Sequence, residues 1–140
     1  MSPLIGLIAL ACYLLPIAIS TDASTQAVPK CHETLEKKWK AIPNQGIRMM
    51  LSAEIIVAKG QDNGPKYTCE LEALAYDLVN ELGAATMDGY DVTYSMGSGT
   101  LNVMDAVNSW KDQLKAMSQK KEFGCNFSLG GGYRFACVFK

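Results

Sequence analysis

The sequence predicts an α+β domain in which amphipathic helices pack on a small antiparallel sheet, stabilised by disulfides. Apolar residues recur at helical spacing in several stretches between Cys31 and Gln119. Two alternating apolar segments flank Gly130-Gly131-Gly132 near the C-terminus, the pattern of a β-hairpin. Cys31, Cys69, Cys125 and Cys137 lie beyond an apolar leader, and an even set of cysteines in an exported chain reads as two disulfides.

The leader runs from Leu4 to Ile19, LIGLIALACYLLPIAI, without a charged residue. It is shorter than the roughly 20 apolar residues a membrane span needs. Ala18-Ile19-Ser20 fits the small-x-small rule for signal-peptide cleavage, although no Lys or Arg precedes the apolar run. Residues 1–20 are therefore expected to be a signal peptide, removed together with Cys12 and making no contact with the domain. Residues 21–30 read as a flexible lead-in and residues 31–140 as one domain.

All 13 basic and 14 acidic residues lie beyond the leader, giving a formal charge of −1. This balance excludes nucleic acid as a partner, since no basic excess is present to neutralise phosphates. The chain closes on Cys137-Val138-Phe139-Lys140, without the small-residue site, spacer and apolar tail of a glycolipid anchor. The expected location is secreted or on an extracellular surface, without a lipid anchor.

The helices follow in order. Cys31, Leu35, Trp39 and Ile42 fall on one face of a first helix, which Pro43-Asn44-Gln45-Gly46 breaks. Lys37, Lys38 and Lys40 read as its solvated face. A second helix spans about Ile47 to Lys59. In the third, Leu71, Leu74, Ala75, Leu78 and Leu82 form the stripe, Thr68 is the N-cap and Gly83 the C-terminal stop. Glu70 and Glu72 read as favourable charges in its first turn. The fourth runs from about Asn102 to Gln119, with Val103, Ala106, Val107, Trp110, Leu114 and Met117 inward.

Between the last two helices, Val92, Tyr94 and Met96 alternate with Thr93 and Ser95 in a short strand that Gly97-Ser98-Gly99 ends. In the hairpin, a three-glycine loop would pair Leu129 with Tyr133, Phe127 with Phe135, Cys125 with Cys137 and Phe123 with Phe139. A one-residue slip would destroy this shared apolar face. Four cysteines allow three pairings. The register favours Cys125 with Cys137, leaving Cys31 with Cys69.

Few residues carry a chemical signal. His32 is the only histidine, and no nucleophile or carboxylate pattern is set against it, so it reads as a surface residue. Without C-x-x-C or a second histidine, a structural metal is not expected, and no cofactor is implied. Asn126-Phe127-Ser128 is the only N-glycosylation sequon, and its asparagine should point away from the hairpin's apolar face and be reachable. The methionines read as core filling, with a soft pocket for an apolar ligand as the other use. Gly97-Ser98-Gly99-Thr100 reads as a strand-to-helix turn.

Two segments resemble the CAP superfamily, the cysteine-rich secretory, antigen-5 and pathogenesis-related type domains. Tyr67-Thr68-Cys69-Glu70-Leu71-Glu72-Ala73-Leu74-Ala75 is similar to the family's helix that opens with an aromatic, a cysteine and L-E-x-x-A. Ala106-Val107-Asn108-Ser109-Trp110 is similar to its A-V-x-x-W helix, and Phe123-Gly124-Cys125 with Cys137-Val138-Phe139 to its closing strands. Within the superfamily the chain resembles the surface antigens of Eimeria parasites, the SAG family, in its G-S-G-T strand end and its FGCNF and CVF hairpin segments. The resemblance implies an α-β-α sandwich with helices on both sides of the sheet. It also implies a non-enzymatic antigen acting at host contact through an unidentified host or parasite surface protein. The CAP cation-binding cleft does not carry over: it needs two histidines, and only 13 residues separate Trp110 from Gly124, too few for the usual G-H-x-T-Q segment. A carrier of a sterol or fatty acid, with weak lipid binding, is the alternative.

Overall fold

A computed structural model describes residues 27–60, 64–80 and 88–140. Its elements are α1 (Cys31–Thr34), a 3-10 turn (Lys38–Lys40), α2 (Gln45–Lys59), β1 (Lys66–Tyr67), α3 (Cys69–Asn80), β2 (Asp91–Gly97), α4 (Val103–Ser109), α5 (Lys111–Ala116), β3 (Glu122–Ser128) and β4 (Tyr133–Phe139). The expected leader, the third helix's Leu82 and Gly83, and Met87 lie outside the described residues.

The sheet has the order β1-β3-β4-β2. It is mixed rather than purely antiparallel: β1 runs parallel to β3, pairing Tyr67 with Phe123, while the other neighbours are antiparallel. A two-residue strand carries no alternation long enough to be read from sequence. The hairpin register pairs Phe123 with Phe139, Cys125 with Cys137 and Phe127 with Phe135. The loop is one residue longer than three glycines, because β3 stops at Ser128 and the exposed Leu129 joins the turn. Gly132 has φ 102°, and a Cβ there would sit 2.4 Å from the Gly97 carbonyl oxygen, so glycine is needed at that corner.

Phe123, Phe135 and Phe139 are fully buried on one sheet face under α2, α4 and α5. Trp110 packs on Phe135 with ring centroids 4.9 Å apart. The expected fourth helix is broken at Trp110 into α4 and α5, yet its stripe of Ala106, Val107, Trp110, Leu114 and Met117 is buried throughout. Asn102 caps α4 by accepting from the Asp105 N–H at 3.1 Å, and Gly60 in the left-handed region ends α2.

Helix α3 covers the opposite face, where its Leu71 and Ala75 cluster with Val138 of β4. Helices therefore lie on both sides of the sheet, giving an α-β-α sandwich. At the crossing, a Cβ on Gly124 would lie 2.2 Å from the Glu72 nitrogen, so the α3 backbone rests directly on that glycine.

Three helix and strand expectations change. The first helix ends at Thr34, because Leu35 is extended with ψ 137°, and Trp39 on the later 3-10 turn is 66% exposed rather than inward. In β2, Thr93 faces the core opposite Cys137, whereas Tyr94 and Met96 are exposed because α3 runs over the two central strands. Of the methionines expected in the core and lying in the described residues, Met117 is buried, while Met49, Met50, Met96 and Met104 are exposed.

Candidate functional site

The domain's concentration of buried polar chemistry lies where α2, α3, β1 and β3 meet. Arg48 on α2 and Glu72 on α3 are both fully buried. Arg48 Nε donates to Glu72 Oε1 at 2.7 Å and Nη2 to Oε2 at 3.1 Å, a bidentate geometry suited to a planar guanidinium. The Ile42 N–H donates to Oε2 at 3.1 Å and the Tyr67 hydroxyl to Oε1 at 2.6 Å. Arg48 Nη2 also donates to the Ile42 carbonyl, and Nη1 to Gln45 Oε1.

Four donor groups converge on the two oxygens of one buried carboxyl group. Both oxygens are committed, so Glu72 has no free lone pair with which to take a proton from a substrate. Tyr67 is held well above the ordinary tyrosine range, first by burial and then by the Glu72 charge against its hydroxyl. Its phenol therefore stays a donor, while its oxygen accepts from the Cys125 N–H at 3.3 Å.

His32 stands at the rim, with Nδ1 3.4 Å from Arg48 Nη1 and Nε2 3.7 Å from Glu33 Oε1. Guanidinium can only donate, so in any hydrogen bond between the two Nδ1 is the acceptor. His32 is thus half-buried against the network rather than simply solvated. Lys40 is likewise engaged: its Nζ lies 2.7 Å from Asp77 Oδ1 on α3.

Asn126 requires a correction. Its side chain does point away from the aromatic face, but that direction leads under α3 and not to solvent. It is 4% exposed, and Nδ2 donates to the Lys40 carbonyl at 2.9 Å and the Glu72 carbonyl at 3.3 Å. The sequon is therefore closed in the folded domain.

The disulfides frame the same region. Cys31 joins Cys69 with Cα atoms 5.2 Å apart, tying α1 to the first residue of α3. Cys125 joins Cys137 across the hairpin at 4.1 Å. Ala27, Val28, Ser52, Lys66 and Tyr67 line a cavity of about 220 Å³ beside the network.

Sequence reasoning missed Arg48 and Glu72 as a pair. Both carried a signal: Arg48 is the one cation within the apolar run IRMMLSAEIIVA, and Glu72 sits between Leu71 and Ala75 on the buried side of α3. Nothing in the sequence joins them, because they are 24 residues apart.

The model of one family, "Ancylostoma-associated secreted protein related", matches residues 31–139. That span holds both disulfides, every element from α1 to β4, and the Arg48–Glu72 pair. The chain belongs to this family. As an Ancylostoma-associated secreted protein related chain it carries a CAP-like domain, in agreement with the helix-sheet-helix layering. Searches of the curated proteins and of the solved structures returned no match. Among the described residues no helix is long and apolar enough to cross a membrane.

Proposed function

We propose that this protein is an extracellular, non-enzymatic antigen of a parasite that acts at host contact by binding through its surface. The observation that carries the reading is the saturation of Glu72, whose oxygens take four donors from the chain itself and so serve the fold rather than a substrate. Membership in a family described as secreted supports export, as do two disulfides and the leader at residues 1–20. The resemblance of the G-S-G-T and FGCNF segments to the SAG antigens of Eimeria supports the role at a host surface.

The reading is tested with protein secreted by a eukaryotic host. N-terminal sequencing should begin at Thr21. The labelled protein should bind intact host cells saturably, and reduction with alkylation should abolish binding. Enzyme-like turnover of peptide or ester substrates by the folded protein would overturn it.

The cavity beside Tyr67 favours a second reading, carriage of a small apolar ligand. At about 220 Å³ it is smaller than the roughly 300–1,000 Å³ usual for such sites. Native mass spectrometry of the secreted protein would show a retained sterol or fatty acid if this second reading held.

A further inference from the structure

The cavity beside the buried network is walled by three separate elements. Ala27 and Val28 come from the lead-in, Ser52 from α2, and Lys66 and Tyr67 from β1; among the described residues none of β3 lines it. It therefore lies on the outer edge of the sheet, where β1 is the last strand. Ser52 is 3% exposed, and its hydroxyl has no hydrogen-bond partner among the described residues. On the other side of Tyr67's strand, the Lys66 N–H donates to the Lys121 carbonyl at 2.8 Å and the Thr68 N–H to the Phe123 carbonyl at 2.9 Å. Strand alternation then turns the main-chain N–H and carbonyl of Tyr67 to the outer edge. Lys66 is exposed, and among the described residues its ammonium forms no ion pair, although Glu122 is its register partner on β3. The network's own groups are not available to a ligand, because Arg48, Glu72 and the Tyr67 hydroxyl are committed to one another. The lead-in wall is anchored: Gln45 Nε2 donates to the Val28 carbonyl at 3.1 Å, and Cys31 just beyond it is bonded to Cys69.

We propose that this cavity is a binding site for a short organic monocarboxylate. The Ser52 hydroxyl, the Tyr67 N–H and the Lys66 ammonium can all donate, so together they select an acceptor that carries negative charge. A ligand oxygen at Ser52 satisfies a hydroxyl that the free protein leaves unpaired. Ala27 and Val28 offer the apolar wall for the carbon body. One ammonium balances one negative charge, and the Tyr67 carbonyl beside its N–H repels a second, so a dianion such as phosphate is disfavoured. The volume sets the length. About 220 Å³ exceeds the roughly 150 Å³ that admits a benzene ring and falls short of the roughly 300 Å³ where drug-sized sites begin, so the body is a few carbons. So small a ligand binds weakly, with dissociation on the order of 1 mM. The inference concerns the cavity of the second reading but puts a short anion where that reading puts a lipid, and it stands apart from binding at the host surface.

Titration of the isotope-labelled secreted protein with sodium isovalerate, followed by amide chemical shifts, tests this. The expected result is saturable movement of the Val28, Ser52 and Tyr67 amides, with Gly130 and Gly131 in the hairpin turn unmoved. Lys66→Gln should weaken isovalerate at least about fivefold and leave its neutral amide, isovaleramide, unchanged. Ser52→Ala should weaken both. Neither substitution should lower the melting temperature, because Lys66 is exposed and the Ser52 hydroxyl holds no partner. Lys111→Gln, which removes an exposed ammonium on α5, should leave binding as it was. No saturable movement of these amides up to tens of millimolar would overturn the proposal, as would isovalerate affinity indifferent to both cavity substitutions. Inorganic phosphate moving the same amides with equal affinity would reduce the effect to general attraction by one lysine and equally overturn it. A sterol or long-chain fatty acid retained in native mass spectrometry, and displaced only when these amides shift, would assign the cavity to the second reading and overturn this one.

Discussion

Removing the charge of Glu72 leaves Arg48 buried without its counter-ion, and a stranded charge costs far more than the net worth of an intact pair. Glu72→Gln should therefore destabilise the domain by about 3–5 kcal/mol in urea unfolding, whereas Glu70→Gln, earlier in the same turn and exposed, should stay within about 0.5 kcal/mol. The two glutamates look alike in sequence because both stand in the first turn of α3. What separates them is which side of α3 reaches Arg48. Tyr67 makes a pH-dependent contribution. Burial and the Glu72 charge hold its folded-state pKa above the ordinary tyrosine value, so at high pH the folded state holds a proton that the unfolded chain releases. Stability should thus fall as pH rises beyond about 10, with no effect from this group at neutral pH. Tyr67→Phe should flatten that alkaline slope, read from urea midpoints at increasing pH. Asn126, buried under α3, should carry no glycan in secreted folded protein, so endoglycosidase treatment should leave the mass unchanged.

At the scale of elements, the hairpin and α3 define the packing. Phe135 is fully buried against Trp110, and Phe135→Ala should cost about 3–5 kcal/mol in thermal or urea unfolding. Arg134 lies on the α3 face, half-buried, and among the described residues its side chain makes a long 3.4 Å contact to the Val79 carbonyl, so Arg134→Ala should remain within about 1 kcal/mol. Gly124 offers a sharper test of layering. Its missing Cβ is the space in which the α3 backbone rests at Leu71 and Glu72. Backbone cannot rotate aside as a side chain can, so Gly124→Ala should cost upwards of about 3 kcal/mol. Gly130→Ala, with open space around its Cβ position, should be close to neutral in the same assay. The hairpin register was legible because its alternation has period two and its cysteines coincide with it. The break of the fourth helix at Trp110 was not, since the apolar stripe continues through it unchanged.

At the scale of the whole molecule, two disulfides divide the work of cross-linking. The Cys31–Cys69 bridge spans 38 residues and joins the N-terminal segment to α3, while Cys125–Cys137 spans 12 within the hairpin. Cys125 and Cys137 are both fully buried between the sheet and its helices, whereas Cys69 is half-buried at the start of α3. Mild reductant without denaturant should therefore open Cys31–Cys69 first, with alkylation and peptide mass mapping as the readout. The local sequence by itself determined the elements whose own periodicity is long enough to read: α2, α3, the stripe of α4 and α5, and the hairpin with its register. It also determined the balanced charge and the cysteine set. The tertiary structure decided everything that depends on which face meets what. It made the sheet mixed through the two-residue β1, turned Thr93 inward and Tyr94 outward, and closed the Asn126 sequon. It also joined Arg48 to Glu72 and left the methionines of α2 outside. The physical reason is that periodicity reports which residues share a face, whereas a buried charge or an exposed apolar side chain is set by partners distant in sequence, and only the packed layers bring those together.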